Sequence, residues 1–322
     1  MKDLYQREID YMRISITDRC NLRCKYCMPD DISLLSHNDI LRYEEIIMVC
    51  KVAAQRGIRH LKITGGEPLV RKGCTDLIRG LKQIPGIEHV TITTNGVLLK
   101  EALPALRDAK IDGINVSLDT LDSGMYEKMT GKDVFSKVWD GLMEAIRMGF
   151  RVKINCVPIQ GYNEDSLIPL VNLAKDYPVD VRFIELMPIG YGRQFGAVSG
   201  DEILKQILLF YPDLEKSEEK KGFGPASYYT SPSLKGSIGF IEAVHHKFCS
   251  RCNRIRLTAD GYLKTCLSYK DGIDLKKPIR EGASEEEIGI LMEAALRKKP
   301  KEHHFGQMED QMENRRMSQI GG

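Results

Sequence analysis

The sequence predicts an α/β fold built mainly on parallel strands. Two observations carry this. Short β-rich runs alternate with stretches of helical period, the signature of βαβ units. The residues able to do chemistry fall just after the strands, where both barrels and open doubly wound sheets gather their ligands. The strands are Met12–Thr17, His60–Thr64, His89–Thr94, Gly113–Leu118, Arg151–Val157 and Asp180–Leu186. Helices fit between them over Tyr43–Arg56, Cys74–Gln83, Leu98–Asp108, Val134–Met148 and Asn163–Tyr177, with Asn163 as an N-cap. Six such units suit an incomplete barrel or an open sheet, and the pattern alone does not separate the two.

After about residue 200 the rhythm changes. A helix over Asp201–Phe210 leads to a charged stretch, Glu215–Lys221, which reads as a solvated linker or helix end. Ser237–Val244 follows, then a pair, Arg254–Thr258 and Tyr262–Cys266, joined through Ala259-Asp260-Gly261. The Asp-Gly step is a turn signal, so this region reads as antiparallel and appended. Glu285–Arg297 is helical, and the charged, anchor-poor Lys298–Met317 reads as mobile. The expected division is 1–235 for the barrel and 236–322 for a C-terminal region.

The chain has 322 residues, 42% hydrophobic and 29% charged, with a net charge of +2. That balance gives no whole-chain field for nucleic acid or an anionic membrane. The longest apolar runs, Ile203–Phe210 and Ile46–Ala54, fall far below the ~20 residues a spanning helix needs. Met1–Asp10 has no apolar signal core, so a cytoplasmic protein is expected, where thiols stay reduced.

In that setting the nine cysteines read as metal ligands or catalytic thiols before disulfides. Cys50, Cys74 and Cys156 are isolated and read as small core residues. The other six form two sets of three. Cys20-x-x-x-Cys24-x-x-Cys27 puts three thiolates in one short loop. Three thiolates suit three corners of a [4Fe–4S] cluster with one open iron, or a zinc site completed by a distant ligand. Cys249-x-x-Cys252 with Cys266 leaves the same two readings open, and His245 or His246 would be the extra zinc ligand. On the intervening strand, Arg254 and Arg256 point to one face, a pairing suited to a polyphosphate or a purine edge. Gly65-Gly66-Glu67-Pro68 follows the second strand, where glycines allow close backbone approach to a ligand and Glu67 would bind an ammonium or support the loop.

The cysteine loop with Tyr26, together with Gly65-Gly66-Glu67-Pro68, resembles the radical S-adenosylmethionine superfamily. With the second set, the likeness narrows to the molybdenum cofactor biosynthesis protein A family, the GTP 3′,8-cyclases. It runs from Tyr11 to Ser268 and includes Arg13 through Asn21, Thr93-Thr94-Asn95-Gly96, Asn115 through Asp119, Arg182-Phe183-Ile184-Glu185, Met187-Pro188, Phe248 through Leu257 and the final two glycines. A peptide-modifying or sulfatase-maturing radical enzyme is the nearest rival, and such enzymes usually carry more C-terminal cysteines. A zinc-ribbon nucleic-acid module is the non-enzymatic rival.

The resemblance implies an incomplete (β/α)6 radical-SAM barrel with an appended C-terminal region containing antiparallel strands. It implies two [4Fe–4S] clusters, on Cys20, Cys24 and Cys27 and on Cys249, Cys252 and Cys266. S-adenosylmethionine would meet Tyr26, Gly66, Ser117 and Met187. GTP would meet Arg13, Lys62, Thr93, Lys153, Arg182, Arg254, Ile255 and Arg256. Lys62 departs from the arginine usual in the family, keeping the charge without the fork. The Gly321–Gly322 tail would reach the active site. The implied reaction forms 3′,8-cyclo-7,8-dihydro-GTP through a 5′-deoxyadenosyl radical, the first step of molybdenum cofactor biosynthesis. The implied partners are a flavodoxin- or ferredoxin-like reductant, a second copy in a homodimer and a downstream cyclic pyranopterin monophosphate synthase.

Overall fold

The computed structural model describes residues 1–28, 33–305, 313 and 315–321. In chain order the elements are β1 (Tyr11–Ser15), α1 (Tyr43–Gln55), β2 (His60–Thr64), α2 (Cys74–Lys82), β3 (His89–Thr94), α3 (Leu99–Asp108), β4 (Gly113–Ser117), α4 (Ser123–Thr130), α5 (Phe135–Arg147), β5 (Val152–Cys156), α6 (Leu167–Asp176), β6 (Asp180–Ile184), α7 (Gly200–Phe210), β7 (Glu215–Ser217), β8 (Ser227–Thr230), β9 (Ser237–Ile241), β10 (Arg254–Leu257), β11 (Tyr262–Lys264), β12 (Ile273–Asp274), α8 (Lys276–Arg280), α9 (Glu285–Arg297) and α10 (Met317–Ile320).

One sheet holds every strand, in the order β12-β11-β10-β1-β2-β3-β4-β5-β6-β9-β8-β7. The six strands β1 to β6 run parallel, as the βα rhythm predicts. The late region carries antiparallel strands, as the sequence reading expects, and it also extends the parallel sheet. β10 pairs parallel with β1, and β9 pairs parallel with β6. Antiparallel strands appear only beyond these, as β11 and β12 at one end and β8 and β7 at the other. The stretch read as a linker from Glu215 therefore begins as strand β7. The turn at Gly261 (φ +89°) is the predicted one, closed by Gly261 N–H on the Thr258 carbonyl at 3.0 Å.

The strands alternate sharply. Met12, Ile14, Leu61, Ile63, Val90, Ile92, Ile114, Val116, Ile154 and Val181 are buried in one continuous apolar core. That face meets the helices, and the core includes Val49, Leu77, Leu103 and Leu142 from α1, α2, α3 and α5. The other face carries Arg13, Lys62, Thr93, Asn115, Ser117, Asn155 and Arg182. A period-2 strand with an apolar outer face and a polar inner one encloses a polar cavity. Cys50, Cys74 and Cys156 are buried core residues, as expected.

Two local expectations change. Asn163 does not cap the helix; its amide accepts from Ile159 N–H at 2.8 Å and donates to the Asp119 carbonyl at 2.9 Å. The region read as mobile is anchored wherever it is described: Lys299, His303 and Glu313 are buried. Arg7 donates to the Cys249 and Lys301 carbonyls, each at 2.8 Å, and to the Pro300 carbonyl at 2.6 Å. Glu313 pairs with Lys264, and neither side chain is more than 1% exposed. No described helix is long and apolar enough to cross a membrane.

The double glycine after β2 is required by packing against the chain leaving β1. Gly66 N–H donates to the Thr17 carbonyl at 2.7 Å, and Glu67 N–H to the Arg19 carbonyl at 2.8 Å. A Cβ on Gly66 would lie 2.7 Å from the Arg19 carbonyl carbon and 2.8 Å from the Asp18 oxygen, both backbone atoms. Gly66→Ala is expected to cost about 1–3 kcal/mol, read as a lower midpoint in urea with an unchanged slope. Unaltered stability would show that the loop has room to move.

Candidate active site

A single cavity lies inside the sheet, and most of the singled-out residues line it. The first cysteine set enters from the loop after β1. Cys20, Cys24 and Cys27 all face the cavity with Tyr26, Gly66, Ser117 and Met187. The loop is held by Cys27 N–H and Met28 N–H on the Cys24 carbonyl, at 2.9 and 2.8 Å. Burial pushes the Cys27 thiol up to about 12 and the Cys24 thiol well above its ordinary value, and the neighbouring thiols push the same way. Donors are nonetheless aimed at the sulfurs. Leu22 N–H lies 3.4 Å from Cys20 Sγ, Asn95 Nδ2 lies 3.6 Å from it, and the Ser318 backbone N–H faces Cys27. Half-buried thiols from one short loop, met by N–H donors, fit thiolates neutralised by a metal centre.

The donor spacing bears on the kind of centre. Neither cysteine set brings its three sulfurs within 4.8 Å of one another. A single zinc with ~2.3 Å bonds needs its sulfurs roughly 3.8 Å apart. The wider spread suits a multinuclear cluster. His245, one possible extra zinc ligand, is held by Glu185, and His246 lies 3.5 Å from Asp201 and 3.7 Å from Glu242.

The second set does not line the cavity; Cys252 sits beside Arg254, which does. Cys20 follows the C-terminal end of β1, whereas Cys252 precedes β10, which runs parallel to β1 with Tyr11 beside Arg254. β1 has five residues, roughly 16 Å of strand at ~3.3 Å per residue, which separates the two cysteine sets along the strand direction. Burial opposes ionisation of Cys252, but Arg254 and Lys299 outweigh it and bring the thiol to about 7. Lys299 Nζ reaches Cys252 Sγ at 3.5 Å, the Arg254 carbonyl at 2.9 Å and the Thr265 carbonyl at 2.5 Å.

Between the two cysteine sets, along these strands, sits a belt of cations. The strand register places Arg256, Arg13 and Lys62 side by side on β10, β1 and β2. Arg254 and Arg182 complete the lining. Burial lowers Lys62 well below its ordinary value, and Arg182 and Arg13 add to the effect. Burial, then the nearby arginines, likewise brings Arg13 down to about 10. Arg256 is lowered for the same reasons, burial first and Arg13 next. Buried cations that disfavour one another are a site for a highly charged anion.

Two proposed GTP contacts sit elsewhere. The Ile255 side chain is 1% exposed and belongs to the apolar core on the outer face of β10. Lys153 does not line the cavity; its Nζ is 3.0 Å from Asp180 and 2.8 Å from the Tyr228 hydroxyl. Thr93 lines the cavity, and Arg182 is oriented by Asn155 Oδ1 at 2.6 Å and Asn115 Oδ1 at 2.9 Å. Gly321 adopts φ +80°, and its carbonyl accepts from Arg256 Nη1 at 2.6 Å. A Cβ there would lie 2.9 Å from Thr64 Oγ1 and 3.2 Å from Ser15 Cβ. Gly322 lies outside the described residues.

The structure adds residues that the motifs did not single out as site residues. Asp119, buried and pushed up to about 6 by that burial, accepts from the Tyr26 hydroxyl and from Val157 N–H, both at 2.8 Å. Glu67 supports the loop: it accepts from Asn95 N–H at 2.6 Å and Thr94 Oγ1 at 2.8 Å. Lys299 escaped notice because its charged surroundings read as a mobile tail.

Comparison with known proteins agrees with this geometry. Residues 14–174 match the Radical SAM superfamily, and residues 179–305 match Molybdenum Cofactor Synthesis C. The GTP 3′,8-cyclase of Pelotomaculum thermopropionicum is 45% identical over 327 residues, covering all of both chains. That of Clostridium perfringens is 42% identical over 323 residues with the same coverage. The chain belongs to the GTP 3′,8-cyclase family. Among solved structures, Streptococcus suis SuiB bound to S-adenosylmethionine superimposes with a TM-score of 0.62 at 14% identity, over 90% of this chain and 68% of that one. At that identity the likeness shows the radical SAM fold alone. The family uses S-adenosylmethionine and iron–sulfur clusters, and this chain has one cysteine triad lining its cavity and a second whose Cys252 lies beside the lining residue Arg254.

Proposed function

We propose that the cavity converts GTP to (8S)-3′,8-cyclo-7,8-dihydroguanosine 5′-triphosphate, the first step of molybdenum cofactor biosynthesis. One observation carries the reading. The cavity that receives Cys20, Cys24 and Cys27 is also lined by Arg13, Lys62, Arg182, Arg254 and Arg256, so a radical source and a polyphosphate site share one space.

Cys20, Cys24 and Cys27 would hold a [4Fe–4S] cluster, whose chemistry when bound would be the one-electron reductive cleavage of S-adenosylmethionine. The chain's own residues do the rest by placement. Tyr26, Gly66, Ser117 and Met187 border the cofactor, with Asp119 fixing the Tyr26 hydroxyl. The cation belt neutralises the triphosphate and sets the ribose toward the first cysteine set. Cys249, Cys252 and Cys266 would hold the second cluster, whose open iron would take the guanine, and Gly321 is steered onto Arg256.

In this reading residues 1–235 hold the radical source, and 236–322 supply the second cluster and the glycine tail. The protein works in the cytoplasm as a homodimer, is reduced by a flavodoxin- or ferredoxin-like protein, and passes its product to a cyclic pyranopterin monophosphate synthase. Anaerobic turnover with S-adenosylmethionine, dithionite and GTP is expected to yield 5′-deoxyadenosine together with an oxygen-sensitive isomer of GTP by mass spectrometry. Formation of 5′-deoxyadenosine with GTP untouched would assign the cavity to another substrate.

A further inference from the structure

The loop that carries the first cysteine set has two faces. Its inner face lines the cavity. Its outer face walls a separate pocket shared by Cys20, Arg23, Lys25, Lys128 and Lys132, with Tyr191 and Phe195 at its edge. No carboxylate lines this pocket. Lys25, Lys128 and Lys132 are exposed. None of these three lysines pairs with a carboxylate among the described residues. Lys25 and Lys128 both lie over the Tyr162 ring, at 5.7 and 5.8 Å from its centre. A chain whose whole charge is only +2 therefore gathers four cations around one opening.

We propose that this pocket is the docking surface for an acidic one-electron carrier protein that reduces the centre held by Cys20, Cys24 and Cys27. The inference rests on the radical reading above. Cys20 belongs to both walls, so the loop separates carrier from centre by the thickness of one residue. Unpaired lysines around an opening raise the encounter rate of a negatively charged partner by 10- to 10³-fold. Tyr191 and Phe195 offer the small apolar contact typical of a transient interface. The accounting is simple: the carrier's reduced group loses one electron, the centre gains one, and no bond or proton moves.

Lys128 lies in the last turn of α4 and Lys132 follows the helix, both outside the cysteine loop, so Lys128→Glu/Lys132→Glu tests the surface without touching the ligands. The probe is a flavodoxin, titrated in its oxidised form into the full-length cluster-loaded protein by calorimetry at low ionic strength. The double variant is expected to bind about tenfold or more weakly and to show a flatter dependence on salt. Its flavodoxin-driven release of 5′-deoxyadenosine falls in step, while the dithionite-driven rate stays at the wild-type value. Equal affinity and equal salt dependence in the two proteins, or no flavodoxin binding by the wild type, overturns the proposal. Loss of dithionite-driven cleavage in the wild type would instead overturn the radical reading, which the binding measurement does not touch.

Discussion

Cys24→Ala is expected to stop S-adenosylmethionine cleavage altogether. Cys24 is central in its loop: its carbonyl accepts two backbone bonds, and its half-buried thiol adjoins both Cys20 and Cys27. A cluster with two cysteine ligands is not held, so 5′-deoxyadenosine falls to background, a loss of more than about 4 kcal/mol of barrier lowering. Iron content falls by about half, because the second cysteine set still binds its own cluster. Circular dichroism and thermal midpoint stay near wild type, since the loop's backbone bonds do not depend on the sulfur. Retained cleavage by the alanine variant would move the cofactor site elsewhere.

Cys252→Ala separates the roles of the two cysteine sets. The sets lie about the length of β1 apart, and Tyr26, Gly66, Ser117 and Met187 line the cavity with the first. The variant keeps S-adenosylmethionine cleavage, in part or in full, and loses formation of the cyclised nucleotide by about two orders of magnitude or more. Comparing 5′-deoxyadenosine with nucleotide product in one reaction reads both effects. Normal cyclisation would mean that the second cluster does not meet the guanine. Loss of both activities together would mean that the two sets do not act independently.

Much of this site was legible in the sequence because the relevant spacing is local. Cys20, Cys24 and Cys27 fall in eight residues, and Arg254 and Arg256 share a face by the period of a strand. Thr93 on β3 and Ser117 on β4 came from the resemblance alone, and the structure places both in the cavity lining. What the sequence hid is long-range. Nothing in Ile238–Phe240 says that β9 lies parallel to β6, and nothing near Arg254 says that β10 lies beside β1. Those pairings put Arg256 next to Arg13. Ile255 was grouped with its arginine neighbours by motif, but strand alternation turns it into the core. The charged tail misled for a physical reason. Its anchors are ion pairs and carbonyl bonds, such as Lys264 with Glu313 and Arg7 with Lys301, and composition reads such charges as solvated.

The central claim is that one cavity aims the adenosyl radical at the ribose of a nucleotide held by the cation belt. Turnover of GTP labelled with deuterium at the ribose 3′ carbon tests it most directly. Mass spectrometry of the nucleoside released should find 5′-deoxyadenosine carrying one deuterium, with the label absent from that position in the nucleotide product. Unlabelled 5′-deoxyadenosine, formed alongside GTP that keeps its deuterium, would contradict it.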